Sequence, residues 1–255
     1  FNPVHGIYHY IFAAGQAGID RHARHGASIP REKFMIVGRP QVELISAARG
    51  PVAGLSDRTV LYAPTWVGPY KDTEVYSLPV GEELVRRLLQ RDVRVIFRAH
   101  PLNYGQDEGR ALVAKVQQIL AQDARETGRE HLWGPAAEED MSVEDCFNAS
   151  DAMVCDVSAV VSDYLKSGKP MAIMSMDRTV EQIVEEVPAA RAAYIVPGDL
   201  AGLDERLDEL LGADPLAGAR TEMMKYYLGD FPEGDYASGF LEAARMLIDR
   251  GRRRS

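Results

Sequence analysis

From about residue 58 onward, short apolar runs alternate with stretches whose apolar residues recur every three or four positions. That alternation predicts strands joined by crossover helices in a parallel sheet. Runs at 59–63, 93–97, 152–155, 170–174 and 193–196 read as strands, with a weaker one at 131–133. Leu84, Val85, Leu88 and Leu89 form one helical stripe, and Leu112, Val113, Val116, Ile119 and Leu120 form another; each has the width needed to cover a sheet. Ser142 followed by Asp145 has the form of a capping box with Asp in place of Glu, and so predicts a short helix just before the strand at 152–155. The fold class expected from this pattern is α/β, with helices on both faces of the sheet.

The first 50 residues follow a different plan. An apolar run at 10–14, a helical segment at 17–25 and a second apolar run at 34–37 are stopped by Gly38-Arg39-Pro40. One strand-helix-strand piece cannot bury both faces of its own sheet, so this unit reads as the end of another domain. Gly50, Pro51 and Gly54 break both periodicities and mark a linker at 49–57. The expected division is 1–50 as the end of one lobe, 51–235 as a ligand-binding lobe, and 236–255 as a C-terminal helix with a basic tail. The chain opens on Phe1 rather than Met, so a missing N-terminal portion is expected.

Composition narrows the function classes. A net charge of -9 disfavours nucleic acid as a partner, because backbone binders present a basic face. Arg250, Arg252, Arg253 and Arg254 form the one dense basic run, which reads as a solvated tail, with contact to an anionic membrane surface as the alternative. Cys146 and Cys155 have neither CxxC spacing nor a paired His, so neither a zinc site nor a disulfide framework is indicated, and a reducing, cytoplasmic setting fits. No run approaches the roughly 20 apolar residues of a membrane-spanning helix.

Three segments carry candidate chemistry, each at the carboxyl end of a predicted strand, where ligands bind in open α/β sheets. In Val154 to Leu165 the strand ends at Asp156, and Ser158 can cap a helix whose first N–H groups favour a phosphate; an ordinary capped helix is the alternative. In Arg98-Ala99-His100-Pro101, Pro101 puts the His100 imidazole at the strand edge, where it could donate to a phosphate or move a proton. In Tyr62-Ala63-Pro64-Thr65-Trp66, Thr65 could bond a phosphate or sugar, while Trp66 could equally pack against a loop. Glycine fingerprints for dinucleotides, a P-loop, a nucleophile elbow and an HExxH helix are all missing.

The ordered set YAPTW, RAHP and DVSAVVSDYLKSGKP, followed by YYLGDFPEGD, resembles the CDP-glycerol glycerophosphotransferases that build teichoic-acid-like polymers. The segments AAGQAGIDR and IVGRPQVE look like the end of the first lobe of such proteins. The resemblance implies a Rossmann-like sheet forming the second, donor-holding lobe of a two-lobed GT-B-like transferase. It implies His100 as a catalytic group and Thr65, Arg98, His100, Asp156, Ser158, Ala159 and Asp163 as the substrate-binding set. The family's usual DYSS is Asp156-Val157-Ser158-Ala159 here, so one hydroxyl is absent. The implied donor is CDP-glycerol or a related CDP-alcohol, and the implied acceptor a polyol phosphate or lipid-linked glycan, with CMP released at the inner face of the plasma membrane. The family's catalytic base is expected on an HG-containing segment upstream, and His5-Gly6 does not share its surroundings. No cofactor is expected, although Mg²⁺ stays open because it needs only one or two carboxylates. A nucleotide-sugar glycosyltransferase or epimerase of the same architecture, and a non-catalytic CDP-binding module, are the competing readings.

Overall fold

The computed structural model describes residues 7–24, 26, 28–66, 75–232 and 235–252. Two contact units divide it: residues 45–220 form one, and residues 1–44 with 221–255 form the other. In the small unit, β1 (Ile11–Ala13) and β2 (Phe34–Ile36) pair in parallel around α1 (Gln16–Arg24), with Ala13, Ile19 and Phe34 as their core.

In the large unit five strands lie in parallel: β3 (Thr59–Ala63), β4 (Arg94–Phe97), β5 (Ala152–Asp156), β6 (Met171–Ser175) and β7 (Tyr194–Pro197). Every residue of β3, β5 and β6 is buried, which explains why they read as continuous apolar runs rather than alternating ones. Within β3 the pleat still sorts side chains. Val60 and Tyr62 join a core with Leu84, Val85 and Leu88 of α2 (Gly81–Leu89) and with Val113 and Val116 of α3 (Asp107–Thr127).

The connection from β4 to β5 also carries α4 (Pro135–Glu138) and α5 (Val143–Ala149). The capping box predicted for α5 is present: Ser142 Oγ accepts from the Asp145 N–H at 3.0 Å, and Asp145 Oδ2 accepts from the Ser142 N–H at 2.9 Å. After β5 come α6 (Ala159–Tyr164), α7 (Val180–Glu186) and α8 (Leu203–Leu210), with Leu203, Leu207 and Leu210 completing the core. The weak strand at 131–133 is only an isolated bridge from Leu132 to Ile96.

The strand order is β4-β3-β5-β6-β7. The chain runs outward from β3 to β4, then returns to the other side of β3 to place β5. The reversal makes the carboxyl ends of β3 and β5 the topological switch point, where a crevice opens in sheets of this kind.

The last helices correct the expected domain limits. α9 (Ala217–Leu228) crosses the unit boundary, and α10 (Tyr236–Arg252) belongs with the first 44 residues. The limits at 50 and 235 therefore give way to 44 and 220. The physical reason is non-local packing: a Cβ on Gly15 would sit 2.5 Å from the Tyr226 carbonyl oxygen, so only glycine permits that approach. Tyr226 also donates to Asp20 Oδ2 at 2.8 Å, and Glu43 Oε1 accepts from the Ala237 N–H at 2.6 Å.

Candidate functional site: three strand ends at the switch point

β5 ends on a carboxylate with no solvent exposure at all, Asp156. Its Oδ2 accepts from the backbone N–H of Thr65 at 2.7 Å and of Ser77 at 3.1 Å, whereas its Oδ1 has no hydrogen-bond partner among the described residues. Burial pushes this carboxyl up to about 6, against the opposing effect of the hydrogen bonds from Ser77 and Thr65. Ser77 also shares a 2.9 Å hydrogen bond with the buried Tyr62 hydroxyl. α2 begins above that hydroxyl at Gly81, where a Cβ would approach it to 3.0 Å.

Thr65 follows β3, and both polar groups of its backbone are engaged. Its N–H goes to Asp156, and its carbonyl accepts from Asn103 Nδ2 at 3.2 Å. Asn103 is 1% exposed and sits in the 3₁₀ turn Pro101–Gly105 directly after β4. His100 caps that turn: its Nδ1 accepts from the Leu102 N–H at 3.2 Å, and its carbonyl accepts from the Asn103 N–H at 2.9 Å. An Nδ1 that accepts leaves the ring proton on Nε2, so the imidazole is a neutral Nε2–H donor. Burial lowers its pKa and favours the same neutral form. The ring lies against Trp66, with centroids 6.1 Å apart and planes 26° apart.

The structure thus joins Thr65, His100 and Asp156 in one hydrogen-bonded cluster. Arg98 departs from it, because its Nη1 is committed to the carbonyls of Ala137 and of Met141, the latter at 2.9 Å, and so fastens the α4 segment. Ser158 occupies the N-cap position of α6, but its hydroxyl makes no capping bond. That corrects the expected cap. Ser142 and Thr179 do cap their helices, and each has a polar partner at the third helical position, Asp145 and Gln182, where α6 has Val161. Ala159 is exposed at the first helical position, and Asp163 is half-buried in the second turn of α6.

Asn103, Ser77 and Tyr62 were not foreseen. The signal for Asn103 was its nearness to His100-Pro101, whereas Ser77 reaches the site only through a contact across the sheet. Among the described residues no three His, Cys, Asp or Glu side chains group as metal ligands. An apolar hollow of about 520 Å³ lies in the small unit, lined by Phe12, Val37, Pro40, Phe240 and Leu241, and contains none of the predicted site residues. His5-Gly6, Arg253 and Arg254 lie outside the described residues.

A family model described as CDP-Glycerol:Poly(glycerophosphate) glycerophosphotransferase matches residues 30–184, a span of more than half of the chain within which the seven predicted site residues fall. The chain belongs to this glycerophosphotransferase family. Solved structures share the fold at low identity. A protein described as a UDP-N-acetylglucosamine 2-epimerase from Listeria monocytogenes is 15% identical with a TM-score of 0.60, over 94% of this chain and 60% of that one. The S. aureus MnaA–UDP co-structure is 14% identical with a TM-score of 0.58, over 95% and 62%. The wall teichoic acid polymerase TagF, in a form soaked with CDPG, is 15% identical with a TM-score of 0.54, over 96% and 58%. The chain is therefore GT-B-like in fold and spans about 60% of the length of these proteins. No protein of curated function matches the sequence. No helix among the described residues is long and apolar enough to cross a membrane.

Proposed function

We propose that this chain holds the donor for a glycerophosphotransferase that moves glycerol phosphate from CDP-glycerol to a polyol-phosphate or glycan acceptor in cell-wall or capsule polymer synthesis. The observation that carries the reading is the joining of the β3, β4 and β5 ends at the switch point, within the segment that matches the family. In the reaction an acceptor oxygen bonds to the β-phosphorus of the donor while the phosphorus–oxygen bond to CMP breaks. Transfer of this kind depends on alignment and on stabilised charge at phosphate oxygens. The neutral Nε2–H of His100 is suited to donate to such an oxygen without first losing a proton. The uncommitted Ser158 hydroxyl at the end of β5 is suited to a second oxygen.

The acceptor hydroxyl must give up its proton, and in a cleft with two walls the receiving base belongs to the wall opposite the donor. Residues 1–255 by themselves are accordingly expected to bind donor and to release no CMP when given CDP-glycerol and a glycerol-phosphate acceptor. Action at the inner face of the plasma membrane belongs to the same reading.

A nucleotide-sugar enzyme is the second reading, favoured by the fold shared with the epimerase and with MnaA bound to UDP. Isothermal titration separates the two. The proposal expects CDP and CDP-glycerol to bind residues 1–255 more tightly than UDP, GDP or UDP-N-acetylglucosamine. Equal or tighter binding of the uridine ligands would remove the CDP-glycerol assignment.

A further inference from the structure

The feature of the site that the proposed chemistry does not use is its most costly one. A carboxylate with no exposure is half satisfied: Oδ2 takes two backbone N–H groups, and Oδ1 takes none among the described residues. Buried charge of this kind destabilises a fold and calls for an explanation. Direct contact with a ligand does not supply one, because the group has no exposed surface. Its two donors, Thr65 and Ser77, both lie within the connection from β3 to α2. A charged acceptor holds N–H groups through shorter and stronger bonds than a neutral one does, in keeping with the 2.7 Å contact to Thr65.

Asn103 completes the arrangement from the other side. Its amide holds the Thr65 carbonyl, and its own N–H holds the His100 carbonyl. The Thr65 peptide is gripped at both ends, by β5 through Asp156 and by the β4 exit through Asn103. Trp66, the next residue, lies against the His100 imidazole.

We propose that Asp156 and Asn103 are positioning residues that clamp the Thr65 peptide and through it fix the His100 imidazole, with Asp156 making no contact to donor. The inference rests on the donor-site reading above for what the imidazole is fixed to do; the clamp itself stands on the hydrogen bonds alone. It also replaces the substrate-binding role expected for Asp156 from the resemblance.

The test compares residues 1–255 as wild type, Asp156→Asn, Asp156→Ala and Asn103→Ala in three measurements: amide hydrogen exchange at Thr65 and Ser77, the His100 ring tautomer by nitrogen chemical shift, and CDP affinity. An Asn at 156 keeps an oxygen for both N–H groups but loses the charge, so that variant should speed exchange at both amides by less than about tenfold while retaining the Nε2–H tautomer and CDP affinity within about threefold. Asp156→Ala should speed exchange at both amides tenfold or more, mix the tautomers and weaken CDP tenfold or more. Asn103→Ala should mix the tautomers and weaken CDP although it removes no charge, and it keeps the test open if Asp156→Ala does not fold. Unchanged exchange in Asp156→Ala, or faster exchange with the tautomer intact, would overturn the clamp. Loss of CDP binding in Asp156→Asn equal to that in Asp156→Ala would return Asp156 to donor contact. If wild type bound no CDP, the donor reading would fall, while exchange and tautomer would still decide the clamp.

Discussion

At the scale of single residues, the sign of the Asp156 titration makes a stability prediction. Its folded pKa of about 6 lies above the ordinary 3.8, so between those values the folded protein binds more protons than the unfolded chain. The contribution is fully present below pH 3.8 and is lost as pH rises through about 6. Other carboxyls titrate nearby, so the difference between wild type and Asp156→Asn isolates it. Relative to the variant, wild type should lose stability between pH 4 and pH 6.5 by at most roughly 3 kcal/mol, read by urea unfolding at each pH. A flat difference would mean that the carboxyl is not held up by burial. His100→Ala should behave in the opposite way. A half-buried turn residue contributes little to the core, so its melting temperature should shift by only about 2 °C, while loss of a hydrogen bond to a charged phosphate should weaken CDP roughly tenfold to a hundredfold. A collapse of melting temperature without a change in affinity would make His100 a structural residue. His100 and Asp156 were legible in the sequence because each ends an apolar run. Ser77 was not, because nothing local distinguishes a serine in a connecting segment whose N–H reaches the carboxylate at the end of β5. Lys169 was equally opaque: its ammonium is buried at the end of α5, where it donates to the carbonyls of Phe147 at 2.7 Å and Ser150 at 2.6 Å.

At the scale of elements, periodicity served well where burial is two-sided. The runs at 59–63 and 170–174 lie on strands whose every residue is buried, so the apolar signal was uninterrupted. It failed where a run is short: Leu132 touches Ile96 in a single bridge, because His131 on one side is spent as an acceptor for the Val95 N–H. Capping shows the same contrast. Ser142 with Asp145 predicted a cap that exists, and Ser158 with no polar third residue predicted one that does not. Ser142→Ala should therefore cost about 1 kcal/mol, a fall of roughly 2–4 °C in melting temperature, whereas Ser158→Ala should leave stability unchanged and lower donor affinity. Equal destabilisation by both would mean that the Ser158 hydroxyl caps α6 in solution.

At the scale of the whole molecule, the sequence divided the chain in order along its length, and the structure does not. Residues 221–255 cluster with residues 1–44 because of contacts such as Tyr226 with Asp20 and Glu43 with the Ala237 N–H. Those contacts link positions about 200 residues apart, a separation that no local pattern records. The family resemblance did anticipate the late segment as part of the set, but not the unit it joins. The central claim is that the donor's nucleotide lies at the joined ends of β3, β4 and β5. Amide chemical-shift mapping of residues 1–255 during a CDP titration tests it most directly. The account predicts that the largest shifts fall at Thr65, Trp66, His100 and Asn103 and across 156–160, saturating together with a single affinity. Shifts that instead centre on the hollow lined by Phe12, Val37 and Phe240, with the strand ends unmoved, would contradict it.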